Sequence, residues 1–309
     1  MVTVNLGMLH YVIDRVYGAL MHRTKMSTPF FSRGWGGSKH ELLVNLVNFV
    51  DLSKEFVEIL SLSLLVCNVA KQSLVCTGDH TFERRLRLGA PLLKENIATM
   101  VLESPFYGKR RPMLQQGAEL LCFSDLLLLG RATIEETRSL LHWLDSEAGF
   151  GKMGISGLSM GGRHAAMVGS LHPTPVATLP FLSPHSAVVA FCEGILKHGT
   201  AWEALREDLA AQKAETTLEE VRERMRNVLS LTDVTPFLVP KNPNAVIFVA
   251  ATDDGYVPKH SVLELQKAWP GSDVRWVTRG HVSSFLFYSS EFRKAIVDGL
   301  DRLEWKESP

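Results

Sequence analysis

Residues 152–162 read Lys152-Met153-Gly154-Ile155-Ser156-Gly157-Leu158-Ser159-Met160-Gly161-Gly162, and this stretch decides the fold. Its first five residues are a short apolar run of the strand type. A serine follows, flanked by glycines two residues before and two residues after it, and a helical run at 163–171 comes directly behind. A serine in so sharp a strand-to-helix turn takes a strained backbone conformation, tolerable only where its neighbours lack bulk; hence Gly157 and Gly161. The strain lifts the hydroxyl clear of the sheet. The Met160 N–H then points to where a negative oxygen would develop, backed by the dipole of the following helix. An ordinary glycine-rich turn uses the same letters, so the rest of the chain has to decide between the two.

A serine hydroxyl is a poor nucleophile until a base removes its proton. The apolar run 245–251 leads into Thr252-Asp253-Asp254-Gly255-Tyr256-Val257-Pro258, and the run 273–277 leads into Thr278-Arg279-Gly280-His281. Serine, acid and histidine therefore occur in that order, each on a loop after a strand, as a nucleophile elbow of this type requires. Upstream, the run 73–76 ends in Thr77-Gly78-Asp79-His80. A backbone N–H of Gly78 or Asp79 is the expected second oxyanion donor beside Met160. His80 reads as a hydrogen-bonding residue that shapes this loop, and His164 as a structural residue of the helix behind the serine.

Working outward, strand-like runs at 73–76, 98–103, 152–156, 176–182, 245–251 and 273–277 alternate with helical stretches. That alternation predicts an α/β fold with a mostly parallel sheet and helices on both faces. Thr133-Ile134-Glu135-Glu136 matches a capping box and predicts a helix start, with Gly149 as its stop. Phe292, Ile296, Leu300 and Leu303 predict a last helix over 292–305. Residues 183–239 interrupt the strand series with two amphipathic helices, the second opened by a capping box from Thr217 to Glu220. They read as a cap over the site or as a peripheral decoration. Residues 73–309 thus form one domain with a cap insert at about 183–239.

Residues 1–72 read as an N-terminal helical segment packed on that domain. Leu6, Leu9, Ile13, Val16, Tyr17 and Leu20 predict an amphipathic surface helix, with a mitochondrial transit segment as the alternative. Arg33-Gly34-Trp35-Gly36-Gly37 reads as a loop. Apolar residues make up 46% and charged ones 21% of the 309, ordinary for a globular chain with a substantial core. Lys plus Arg and Asp plus Glu both count 33, so no global field draws in nucleic acid or an anionic membrane. Local patches leave peripheral membrane contact open. Cys67, Cys76, Cys122 and Cys192 show no metal-ligand spacing and read as reduced core thiols of an intracellular protein, cytoplasmic or mitochondrial. No run is long enough for a transmembrane helix.

The chain resembles the α/β-hydrolase domain-containing protein 18 family, over roughly 73–202 and again 243–303. The matching pieces are Thr77-Gly78-Asp79-His80, Leu102-Glu103-Ser104-Pro105-Phe106-Tyr107-Gly108, Leu141-His142-Trp143-Leu144, Gly157-Leu158-Ser159-Met160-Gly161-Gly162, Asp254-Gly255-Tyr256-Val257-Pro258 and Gly280-His281. Arg33-Gly34-Trp35-Gly36 also looks like the family's N-terminal segment. The resemblance implies an α/β-hydrolase fold, a Ser159, Asp254, His281 triad and hydrolysis of an acyl ester, a lipid ester among the candidates. Asp254 is preferred to Asp253 because the spacing to Val257-Pro258 resembles the acid loop of many α/β-hydrolases. No metal or organic cofactor is implied. The alternatives are an acyltransferase using the same triad and a catalytically silent binding protein of the same fold. Family members carry a longer stretch with early strands before the Gly78 loop. Residues 37–72 are short and unlike it, so one sheet edge is expected to be incomplete.

Overall fold

In the computed structural model, which describes residues 6–23, 28–36, 72–77, 85–211 and 215–304, six strands form one sheet. They are β1 (Gln72–Thr77), β2 (Ile97–Val101), β3 (Lys152–Leu158), β4 (Ala177–Phe181), β5 (Ile247–Ala251) and β6 (Asp273–Val277). Every pairing is parallel and the spatial order is β2-β1-β3-β4-β5-β6. All six expected strand runs are strands. Among the described residues, β2 and β6 are the two edge strands; the expectation of an incomplete edge rests on 37–72, and residues 37–71 lie outside the described residues.

Parallel strands are buried on both faces, and β5 shows it residue by residue. Ile247, Val249 and Ala251 pack with Phe292, Ile296 and Leu300 on one face, while Val246, Phe248 and Ala250 pack with Val262, Leu265 and Trp269 on the other. Alternation along the strand sends successive side chains to opposite layers. The first layer is completed by α8 (Ser289–Asp301) and the second by α6 (Lys259–Ala268). Trp269 is fully buried there, so its loss to alanine should cost about 3–5 kcal/mol. The long helix α2 (Phe123–Ser146) and α3 (Met160–Leu171) close the face beside β1 and β3 through Leu140, Leu141, Leu144, Ala165 and Val168.

The helix expected to start at Thr133 begins ten residues earlier. Asp125 supplies the start: its carboxylate accepts the Cys122 N–H at 2.9 Å. Leu126, Leu129 and Ala132 then extend the buried face upstream, and their burial outweighs the local capping signal at Thr133. Thr133 sits mid-helix, where its carbonyl accepts the Thr137 hydroxyl at 2.6 Å. The final helix likewise runs over Ser289–Asp301 rather than to 305, although Leu303 stays buried.

The stretch 183–239 carries α4 (Trp202–Ala210) and α5 (Leu218–Ser230). The capping box of α5 forms, with Glu220 N donating to Thr217 Oγ1 and Thr217 N donating to the Glu220 carboxylate. Leu205, Leu209, Val221, Met225 and Leu229 pack with Phe30, Phe31, Phe123 and Phe191 into a separate aromatic-rich core. Trp35, in the glycine-flanked turn, is tied to α4: its N–H donates to Asp208 at 2.7 Å and its indole N–H to the Leu205 carbonyl at 2.9 Å. Ahead of the sheet, α1 (Leu6–Arg23) packs against α7 (His281–Phe287) and against the turn 195–198. No described helix is long and apolar enough to cross a membrane. Cys122 and Cys192 are free thiols.

Candidate active site

Among the described residues, the loops that carry the expected site residues leave the carboxyl ends of strands. β3 ends at Leu158, and Ser159 turns the chain into α3 with φ 56° and ψ −116°. A positive φ is costly for any residue but glycine and persists only where the surroundings hold it. Here Ser159 N donates to the Phe181 carbonyl at the end of β4, at 2.8 Å. Met160 is the first residue of α3, so its N–H belongs to the helix end whose backbone donors are unsatisfied within the helix. The other expected oxyanion donors, Gly78 and Asp79, lie outside the described residues, as does His80.

The loops after β5 and β6 are stitched together by backbone bonds: Thr252 N donates to Val277 O at 2.9 Å and Asp253 N to Arg279 O at 3.0 Å. Across that seam, Asp254 Oδ2 meets His281 Nδ1 at 2.7 Å. The Asp254 side chain is only 2% exposed, and its other oxygen accepts the N–H groups of Tyr256 and Val257 at 2.8 and 2.7 Å. Both carboxylate oxygens are thus engaged and the side chain is fixed. Asp253 points elsewhere and accepts the Thr252 hydroxyl at 2.8 Å. The Tyr256 ring covers the imidazole, with centroids 4.8 Å apart. Burial alone would push the His281 pKa down. The charge and hydrogen bond of Asp254, with the charge of Asp14 added, outweigh burial and leave it above the ordinary 6.5.

Ser159 and His281 face one cavity of about 300 Å³. No hydrogen bond joins Ser159 Oγ to the ring in this structure, and in free hydrolytic sites that contact often tightens only with substrate bound. The cavity wall is mainly apolar, with Phe30, Leu126, Ala187, Phe191, Leu196 and Phe292 among its lining. The segment 184–196 therefore walls the cavity directly, while α4 and α5 stand behind it in the aromatic core.

Arg163 and Asp14 escape a motif reading. Arg163, one turn after Ser159 in α3, is buried and lines the cavity; burial pushes its pKa down to about 10. Its neighbour His164 is fully buried beside it, and burial, then the Arg163 charge, holds its pKa well below 6.5. Asp14, from α1, is also fully buried and bonds to the acid and histidine loops. Nothing in the local sequence marks it. Among the described residues, no group of three or more His, Cys, Asp or Glu side chains could hold a metal ion.

Comparison with known proteins agrees with this architecture. A family model described as Alpha/beta hydrolase domain containing 18 matches residues 66–218 and 209–302. An uncharacterized protein of Mycobacterium tuberculosis strain H37Rv is 26% identical over 226 residues, covering 69% of this chain and 48% of that protein. The chain thus spans about half the length of the curated relatives it matches. Among solved structures, the alpha/beta hydrolase GrgF from Penicillium sp. sh18 aligns with a TM-score of 0.52 at 10% identity, covering 75% of this chain and 90% of that one. Est1E from Butyrivibrio proteoclasticus, solved with ferulic acid bound, aligns with a TM-score of 0.49 at 11% identity over 74% and 89%.

Proposed function

The chain belongs to the Alpha/beta hydrolase domain containing 18 family of α/β-hydrolases, and from that premise we propose that it is a serine esterase acting on esters with an apolar acyl group, lipid esters included. One observation carries the reading. His281 gives Nδ1 to a buried carboxylate and shares a mainly apolar cavity with a serine on a strained strand-to-helix turn.

With Nδ1 bonded to Asp254, the ring keeps Nε2 for the serine. His281 takes the Ser159 proton as Oγ forms a bond to the ester carbon. The carbonyl oxygen becomes an oxyanion, which the Met160 N–H and the positive end of α3 stabilise. Collapse breaks the carbon–oxygen bond to the alcohol, and His281 returns the proton to that leaving oxygen. Water, deprotonated by the same ring, then attacks the acyl-enzyme; as the Oγ–carbon bond breaks, His281 passes that proton to Ser159 Oγ and the carboxylic acid is released. Asp254 holds the tautomer throughout and supports the imidazolium.

The acyl group occupies the apolar wall built by 184–196 and Leu126, and this is what makes the reading lipase-like. The test is labelling with a fluorophosphonate probe, followed by a panel of p-nitrophenyl esters of increasing acyl length. Covalent labelling and release of p-nitrophenol support an esterase; a folded protein that takes no probe and turns over no ester is the silent binding protein of the same fold. Adding an alcohol acceptor separates the two chemistries, because an acyltransferase passes the acyl group to it in preference to water.

A further inference from the structure

The triad pair is held by a residue that lies far from it in the chain. The Asp14 carboxylate, delivered by α1, accepts three backbone N–H groups: Gly255 at 3.0 Å and His281 at 2.7 Å on Oδ2, and Val282 at 2.9 Å on Oδ1. Gly255 directly follows the acid, Asp254. His281 and Val282 open α7, whose first N–H groups have no partner inside the helix. One side chain therefore bridges the backbone of both loops, at the points where their side chains meet.

The approach is close enough to dictate sequence. A Cβ on Gly280 would lie 2.8 Å from Asp14 Oδ2, and a Cβ on Gly255 would lie 3.3 Å from Asp14 Cβ and 2.8 Å from Ile195 Cδ1. The glycine after the acid and the glycine before the histidine are thus the room that α1 needs.

We propose that Asp14 is a positioning residue for the Asp254–His281 pair, fixing the acid loop and the histidine turn against each other from a third element. The proposal rests on the esterase reading of the site. Asp14 is fully buried, and a buried carboxylate is tolerated only when it is well bonded. Burial pushes its pKa up, and the three backbone donors with the nearby His281 charge offset part of that. Among the described residues, the charged or titratable groups acting on or covering His281 are Asp254 and Tyr256 from the acid loop and Asp14 from α1; Tyr17 of α1 acts in turn on Tyr256, and Arg87, Glu119 and Arg163 line the same cavity. Two negative charges thus support the imidazolium, and a purely structural anchor would not change its titration.

The test labels wild type, Asp14→Asn and Asp14→Glu with a fluorophosphonate probe across a pH series, with Ser159→Ala as the blank. Asn keeps the size, loses the charge and offers one acceptor oxygen to three donors. Its plateau labelling rate should fall on the order of 10- to 100-fold. Its acid limb should move to lower pH by about one pH unit. A folded Asp14→Asn protein with the wild-type plateau and limb overturns the proposal. If that variant does not fold, Asp14→Glu decides: it keeps the charge on a longer arm, so the limb should stay in place while the plateau falls, and a wild-type plateau overturns the proposal. Wild type that takes no probe overturns the esterase reading itself, whereas labelled wild type with an unmoved Asn variant overturns only the role of Asp14.

Discussion

Asp253 and Asp254, adjacent in the chain, face different surroundings: Asp254 meets the His281 ring at 2.7 Å, and Asp253 accepts the hydroxyl of Thr252 next to it. Their backbones explain the division, because Asp253 N is bound into the seam at Arg279 O and successive side chains leaving a strand diverge. Asp254→Asn should lower turnover on the order of 10⁴-fold, since an amide cannot hold the required tautomer. Asp253→Asn should change it little. The two purified variants, each shown to melt cooperatively, are compared on one activated ester; a larger loss for Asp253→Asn would reverse the assignment.

Ser159 stands at φ 56° in a turn already closed by its own N–H to Phe181 O. Alanine fits that turn no worse than serine, so Ser159→Ala should melt within a few degrees of wild type and take no fluorophosphonate. Mass spectrometry of the labelled wild-type peptide gives the same answer from the other side. Persisting label in the alanine variant moves the nucleophile to another residue.

The titration of His281 sets opposite trends for activity and stability. Its folded pKa lies above 6.5, so the charged ring is favoured by the fold. That stabilisation is complete below the unfolded value, near 6.5, and is lost as pH rises through the folded value. The proposed esterase activity needs the neutral ring and should rise over the same interval. A pH series of kcat/KM therefore shows an acid limb above 6.5, and this group's part of the melting temperature falls across it. In Asp254→Asn the limb moves to lower pH, because the charge and hydrogen bond that opposed burial are gone. A limb below 6.5 in wild type would mean that burial of the ring dominates.

What could be read in the sequence was whatever depends on local period and chain order. β5 alternates between two buried layers, so its run of Ile247, Phe248 and Val249 marks a strand without any tertiary knowledge. Ser159, Asp254 and His281 each follow such a run, and the order of loops survives folding. The capping box at Thr133 misled because a real helix start was already set by Asp125 and the buried Leu126 and Leu129. Asp14 was illegible for a stronger reason. Apolar spacing on α1 points to Leu9 and Val16, yet these are 43% and 51% exposed while Asp14 is fully buried. Its partners lie more than 240 positions away, and no local signal reports them. The trace it leaves is elsewhere, in the glycines beside the acid and the histidine.

The cavity makes a claim about acyl length that can be checked at one position. Ala187 is buried, lines the wall beside Phe191, and has its N–H tied to the Thr232 hydroxyl at 3.0 Å, so its backbone cannot easily retreat. Ala187→Leu should therefore push its added methyl groups into the cavity space that the esterase reading assigns to the acyl chain. On the esterase reading, a short acetyl group would stay next to Ser159, whereas an octanoyl chain would reach that wall. The expected result is kcat/KM for p-nitrophenyl acetate within about twofold of wild type and for p-nitrophenyl octanoate about tenfold lower or more, the effect of mismatching one or two methylene groups in an apolar pocket. Overpacking carries its own cost of about 1–3 kcal/mol, so the melting temperature is measured alongside. A uniform loss on both esters would come from that strain rather than from the acyl site. An octanoate rate that holds while acetate falls would place the acyl chain on another wall of the cavity, away from 184–196.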